Sequence, residues 1–205
     1  MMRKLILILT TVILFVSCTT EVTLTLKADD SVDIRFEGGA GEAFSKMIAS
    51  ASGVSGSGGD VLIDTDTVTY ELARAGFADV KAEEKNGGTV LISMCDKKQN
   101  SYVFTSGIIK SEKGRLNASI TRKSLEDFYN SADEQTRMTL DLFLAPVFNN
   151  ETMSEEEYLD MVGSFYGEPA AKEVSESQVK INLISKDGSK QTLTYPLAQV
   201  FCGIF

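Results

Sequence analysis

Val22-Thr23-Leu24-Thr25-Leu26-Lys27-Ala28-Asp29-Asp30-Ser31-Val32-Asp33-Ile34-Arg35-Phe36-Glu37 is the most telling run in this chain of 205 residues. Val22, Leu24 and Leu26 alternate with Thr23, Thr25 and Lys27; Val32, Ile34 and Phe36 alternate with Asp33, Arg35 and Glu37. Successive side chains of a strand point to opposite faces, so each half has one apolar and one polar face. Ala28-Asp29-Asp30-Ser31 supplies turn residues between them. The run predicts an antiparallel hairpin with one buried side.

The same pattern recurs along the chain. Val80 to Lys85 and Thr89 to Cys95 flank Asn86-Gly87-Gly88 and predict a second hairpin. Tyr102 to Lys110 and Leu116 to Thr121, around Glu112-Lys113-Gly114, predict two further strands. Val179, Ile181 and Leu183, the turn Lys186 to Ser189, and Thr192 to Tyr195 predict a closing hairpin. Leu197 to Phe205 is an apolar tail expected to tuck into the core.

Helical spacing appears between the hairpins. Phe44, Met47, Ile48 and Ala51 form one stripe, followed by the glycine-rich loop Gly53 to Gly59. Asp66 or Thr67 is placed to cap a helix carrying Val68, Leu72 and Ala75, with Gly76 closing it. Ser124 can open another helix. Ser131 with Glu134, and Ser154 with Glu157, match the capping box. The second box precedes Tyr158, Met161, Val162, Phe165 and Tyr166, and Gly167 and Pro169 are expected to end that helix. The helical segment spans about 124–167. Hairpins at both ends with helices between predict an α+β fold, mostly antiparallel hairpins with a helical segment packed on one face. Beyond the glycine-rich loop no polar linker divides residues 18–205, which read as a single domain.

The opening of the chain carries a different signal. Arg3 and Lys4 precede Leu5 to Val16, twelve residues that are apolar except for Thr10 and Thr11. A spanning helix needs about 20 apolar residues. This run has instead the length and basic flank of a secretory signal segment. Leu14-Phe15-Val16-Ser17-Cys18 resembles the lipobox of bacterial lipoproteins, with Phe15 where that pattern prefers Leu. The resemblance covers the first twenty residues or so and implies export, removal of 1–17 and acylation of Cys18. Each buried methylene contributes about 0.8 kcal/mol, and two or more acyl chains make a stable anchor. With Thr19, Thr20 and Glu21 ahead of the first strand, the tether is expected to reach on the order of 14 Å. The anchor would hold the protein to the bacterial cell membrane or outer membrane.

Composition narrows the chemistry. The formal charge is −9. Such a chain is repelled by phosphates and by anionic lipid heads, so nucleic acid is not an expected partner, and lipid rather than a basic patch is expected to supply membrane attachment. There is no His and no Trp. Histidine-based nucleophile systems and histidine zinc sites are therefore unavailable. Cys95 and Cys202 lie in apolar strings and either pair with each other in an oxidising compartment or sit as core thiols. Ser177 and Lys180 match Ser-x-x-Lys, but in an alternating strand they point to opposite faces. Asp60, Asp64 and Asp66 lack the spacing of a calcium loop. The glycine-rich loop lacks the lysine of a phosphate-binding loop. No cofactor, metal or catalytic residue is assigned.

Two classes of function follow. The first is a non-catalytic binding, assembly or surface-interaction module, meeting an unknown protein or a small apolar ligand through a groove or exposed apolar patch. The alternative is a carboxylate-dependent hydrolase, which requires two acidic side chains across a cleft and at least one raised pKa.

Overall fold

A computed structural model describes residues 19–39, 41–43, 46, 64–85, 89–131, 137, 141 and 153–203. The segment 1–17, Cys18, the glycine-rich loop with Asp60, the turn 86–88, and most of the segments 44–51 and 132–150 lie outside the described residues.

The quoted run folds as read. β1 (Thr19–Leu26) pairs antiparallel with β2 (Val32–Gly39), Leu24 opposite Ile34. β1 begins at Thr19, so the three residues expected as a tether already belong to the sheet. β3 (Ala78–Lys85) and β4 (Thr89–Asp96) form the second hairpin, and β7 (Gln178–Ile184) and β8 (Lys190–Pro196) the closing one. The six strands run in the order β3-β4-β2-β1-β7-β8. The β1–β7 pair is parallel, with Thr19 opposite Gln178 and Leu24 opposite Leu183. The other pairs in the sheet are antiparallel, so the fold is α+β with a mixed, mostly antiparallel sheet.

Among the described residues six helices accompany the strands: α1 (Thr65–Arg74), α2 (Tyr102–Thr105), α3 (Arg122–Ser131), α4 (Glu155–Tyr166), α5 (Glu168–Glu176) and α6 (Leu197–Cys202). Several local expectations shift. Tyr102 does not begin a strand: Phe104 and Thr105 donate to the Ser101 carbonyl and wind one helical turn. The small hairpin is then β5 (Ile109–Glu112) with β6 (Arg115–Ala118). α3 starts at Arg122 rather than Ser124. Thr121 and Ser124 exchange hydrogen bonds, the Thr121 amide to Ser124 Oγ at 2.9 Å and the Ser124 amide to Thr121 Oγ1 at 3.1 Å.

Gly167 ends α4 as expected, at φ +91°, in the half of φ space that side chains disfavour. Pro169 does not end the helical segment. It lies in the first turn of α5, where a missing N–H costs nothing, and the helix runs on to Glu176. The apolar tail winds into α6, whose Leu197, Ala198, Val200, Phe201 and Cys202 are buried.

One face of the sheet carries the core. Leu24, Leu26, Val32, Ile34, Phe36, Val90, Ile92, Met94, Ile181 and Leu183 gather under α1 through Leu72 and under β5–β6 through Ile109 and Leu116. α4, α5 and α6 close a second cluster around Tyr158, whose ring lies 5.9 Å from that of Phe201. Val179 of β7 packs against both clusters and joins them. Burying about 25 cal/mol per Å² of apolar surface is the main force that holds these layers together. The opposite face of the sheet carries mostly polar side chains, with Leu91, Cys95 and Ile184 among them.

Candidate binding surfaces

A groove of about 840 Å³ runs along α5. Phe165, Tyr166, Pro169 and Ala43 give it an apolar lining. Glu42, Lys46, Lys172, Glu173 and Glu176 supply a charged rim. Phe165 is 77% exposed, which is unusual for a large apolar ring. It sits on the amphipathic stripe expected from the sequence, yet faces outward while Tyr158 and Val162 of the same helix face the core. The rim charges are paired locally: Lys46 Nζ meets Glu42 Oε1 at 2.6 Å and Lys172 Nζ meets Glu176 Oε1 at 3.8 Å. Gly41 allows the Glu173 carboxylate to approach the backbone where any larger residue would meet it. The groove therefore combines an aromatic wall with a rim of two ion pairs and the further carboxylate of Glu173, a chemistry suited to a partly apolar peptide or small molecule.

The acidic residues do not assemble a reactive pair among the described residues. Hydrogen bonds from Lys85 hold Glu37 below the usual carboxylate range, and Lys46 does the same for Glu42. Turn and cap donors lower the others: Ser31 on Asp29, Thr67 on Asp64, the Ser154 backbone and hydroxyl on Glu157, and Ser189 on Asp187. A general acid working at neutral pH needs a shift in the opposite direction. Asp64, not Asp66 or Thr67, caps α1: its Oδ1 accepts from the Asp66 and Thr67 amides, each at 3.1 Å. Among the described residues no cluster of three metal-ligating side chains occurs.

Ser177 and Lys180 perform separate structural tasks. Ser177 Oγ donates to the Glu173 carbonyl at 2.6 Å at the end of α5. Lys180 Nζ pairs with Glu21 at 3.3 Å on the polar side of the sheet. Cys95 and Cys202 are free and buried. Cys202 belongs to the α4–α6 cluster, where burial pushes its thiol up to about 11; burial raises Cys95 also. Cys18, the residue on which the lipoprotein resemblance turns, lies outside the described residues, one peptide bond before Thr19. Among the described residues no helix is long and apolar enough to cross a membrane. No family model, curated protein or solved structure gives a significant match to this chain.

Proposed function

We propose that this chain is an exported lipoprotein, held at a bacterial cell membrane or outer membrane by lipid on Cys18. Its α+β domain acts in the cell envelope as a non-catalytic binding, assembly or surface-interaction module. The observation that carries the reading is Leu14-Phe15-Val16-Ser17-Cys18 behind a basic opening and a twelve-residue apolar run. The start of β1 at Thr19 supports it. Cleavage before Cys18 removes none of the described residues that pair in the sheet, and it leaves an anchor with no linker.

The groove along α5 supports the binding half of the proposal. Its exposed Phe165 and paired rim charges suit capture of a partner protein or a small apolar ligand. The alternative hydrolase gains no support from the carboxyls described, whose resolved shifts run downward.

The test is growth of the producing cells with labelled palmitate, comparing the native chain with Cys18→Ser. The proposal expects label in the native protein and none in the variant, together with release of the variant from the membrane fraction. An unlabelled native chain, or unchanged fractionation of the variant, contradicts it.

A further inference from the structure

The sheet has a face that neither apolar cluster touches. By strand alternation and register, Glu21, Asp33, Arg35, Glu37, Ser93, Lys180, Asn182 and Thr194 project from the side opposite the core. Both clusters, including their partly buried members, draw only on the other side. Ion pairs lie across the open face: Lys27 with Asp33, Arg35 and Lys85 with Glu37, and Lys180 with Glu21. Their side chains keep 38–58% of their exposure, so water reaches them.

The charge on this face is opposite to that of the chain. Its cations are Lys27, Arg35, Lys81, Lys85, Lys180 and Lys190. Its anions are Glu21, Asp33, Glu37 and Glu83. The face is thus positive by two charges on a chain of formal charge −9. Six strands about 4.8 Å apart make a platform on the order of 25 Å wide.

The anchor joins this platform directly. Thr19 is the first residue of β1, already in register with Gln178, and Cys18 is one Cα–Cα step of about 3.8 Å away. A lipid on Cys18 therefore fixes the domain within a few ångströms of the headgroups and leaves rotation about that point as the main freedom. Anionic headgroups attract nearby Lys and Arg and repel Asp and Glu. Rotation that lays the open face down brings a net-positive side of the sheet to the headgroups.

We propose that the open face of the sheet is the surface laid against the bilayer, its lysines and Arg35 meeting anionic lipid headgroups. The groove along α5 then remains on the water side for a partner. This orientation rests on the anchor proposed above.

The test uses the full acylated chain in vesicles of phosphatidylethanolamine and phosphatidylglycerol carrying a headgroup quencher. A fluorophore is placed either at Thr194→Cys, on the open face, or at Glu112→Cys, on the β5–β6 hairpin behind the core. Both positions are exposed, whereas Cys95 and Cys202 are buried. The expected result is several-fold stronger quenching at position 194 than at 112. Lys81→Glu combined with Lys190→Glu removes that preference while the protein stays on the vesicle, and so does replacing phosphatidylglycerol by phosphatidylcholine. Equal quenching at both positions, or stronger quenching at 112, overturns the orientation and leaves the anchor standing. A chain that carries no acyl group and does not associate with vesicles overturns both, and mass measurement of the same sample separates the two cases. Quenching unchanged by the charge reversals assigns the contact to something other than the headgroup charge and also overturns the proposal.

Discussion

Leu183 tests the sheet order more sharply than any other single side chain. It is fully buried in β7, opposite Leu24 of β1 across the parallel pair and opposite Gln191 of β8 on the other side. Leu183→Ala removes three carbon atoms from the cluster beneath the sheet. At about 0.8 kcal/mol for each methylene the transfer loss is roughly 2.4 kcal/mol. The cavity left behind adds to this, and comparable truncations cost roughly 2–5 kcal/mol. We expect about 3–4 kcal/mol. Leu193 of β8 packs on the same cluster but is only half-buried, at the edge of the sheet. Leu193→Ala should cost about 1 kcal/mol, because part of its surface already meets water. Urea titration followed by far-ultraviolet circular dichroism measures both, with slopes close to that of the native protein. For a domain of this size, 3–4 kcal/mol corresponds to a fall in Tm of about 10 °C. Equal losses at the two positions, or a loss under about 1 kcal/mol at Leu183, would refute the placement of β7 inside the sheet.

Three further outcomes follow from the caps, carboxylates and thiols. Ser154→Ala should destabilise by about 1 kcal/mol, and adding Glu157→Ala should cost less than the sum of the two changes, since the residues satisfy one reciprocal box; a double-mutant cycle from thermal melts checks this. The carboxyls of Asp64, Glu157 and Asp187 have folded pKa values below their unfolded ones of about 3.8, 4.5 and 3.8. Their contribution is complete above the unfolded values and is lost as pH falls through the folded ones. Stability measured from pH 7 downward should therefore hold to near pH 5 and drop below about pH 4, with a shallower drop in Asp64→Asn. Cys202, pushed up to about 11, and the buried Cys95 should resist thiol reagents at pH 8 until the protein unfolds. Of the three cysteines, an acylated chain should release two reactive thiols in denaturant and an unacylated chain three.

The strands were legible wherever one face is apolar and the other polar, as in Val22–Phe36 and Val179–Tyr195. There the period of two has one physical cause, and local sequence contains it. The parallel docking of β1 on β7 was not legible. It joins residues about 160 positions apart, and nothing in either strand distinguishes a parallel neighbour from an antiparallel one. The helix after Gly167 is not legible, because Gly167 with Pro169 two residues on reads as a stop, although the same residues can close one helix and open the next. Asp64, Asp66 and Thr67 all suit the cap role by residue type, and only the backbone direction selects Asp64. The groove was foreseeable only in part. The stripe of α4 announced Phe165, but core packing is the usual fate of such a ring; its exposure depends on how α5 turns at Gly167. The positive face was hidden by composition, because a charge of −9 conceals a surface of the other sign until register sorts the strand residues by side.

The most direct test of the account is the mass of the amino-terminal peptide of the protein purified from membranes of its producing cells. A peptide beginning at Cys18 and carrying a thioether-linked diacylglyceryl group is the predicted result. A chain that still contains residues 1–17, or one that begins at an unmodified Cys18, contradicts it.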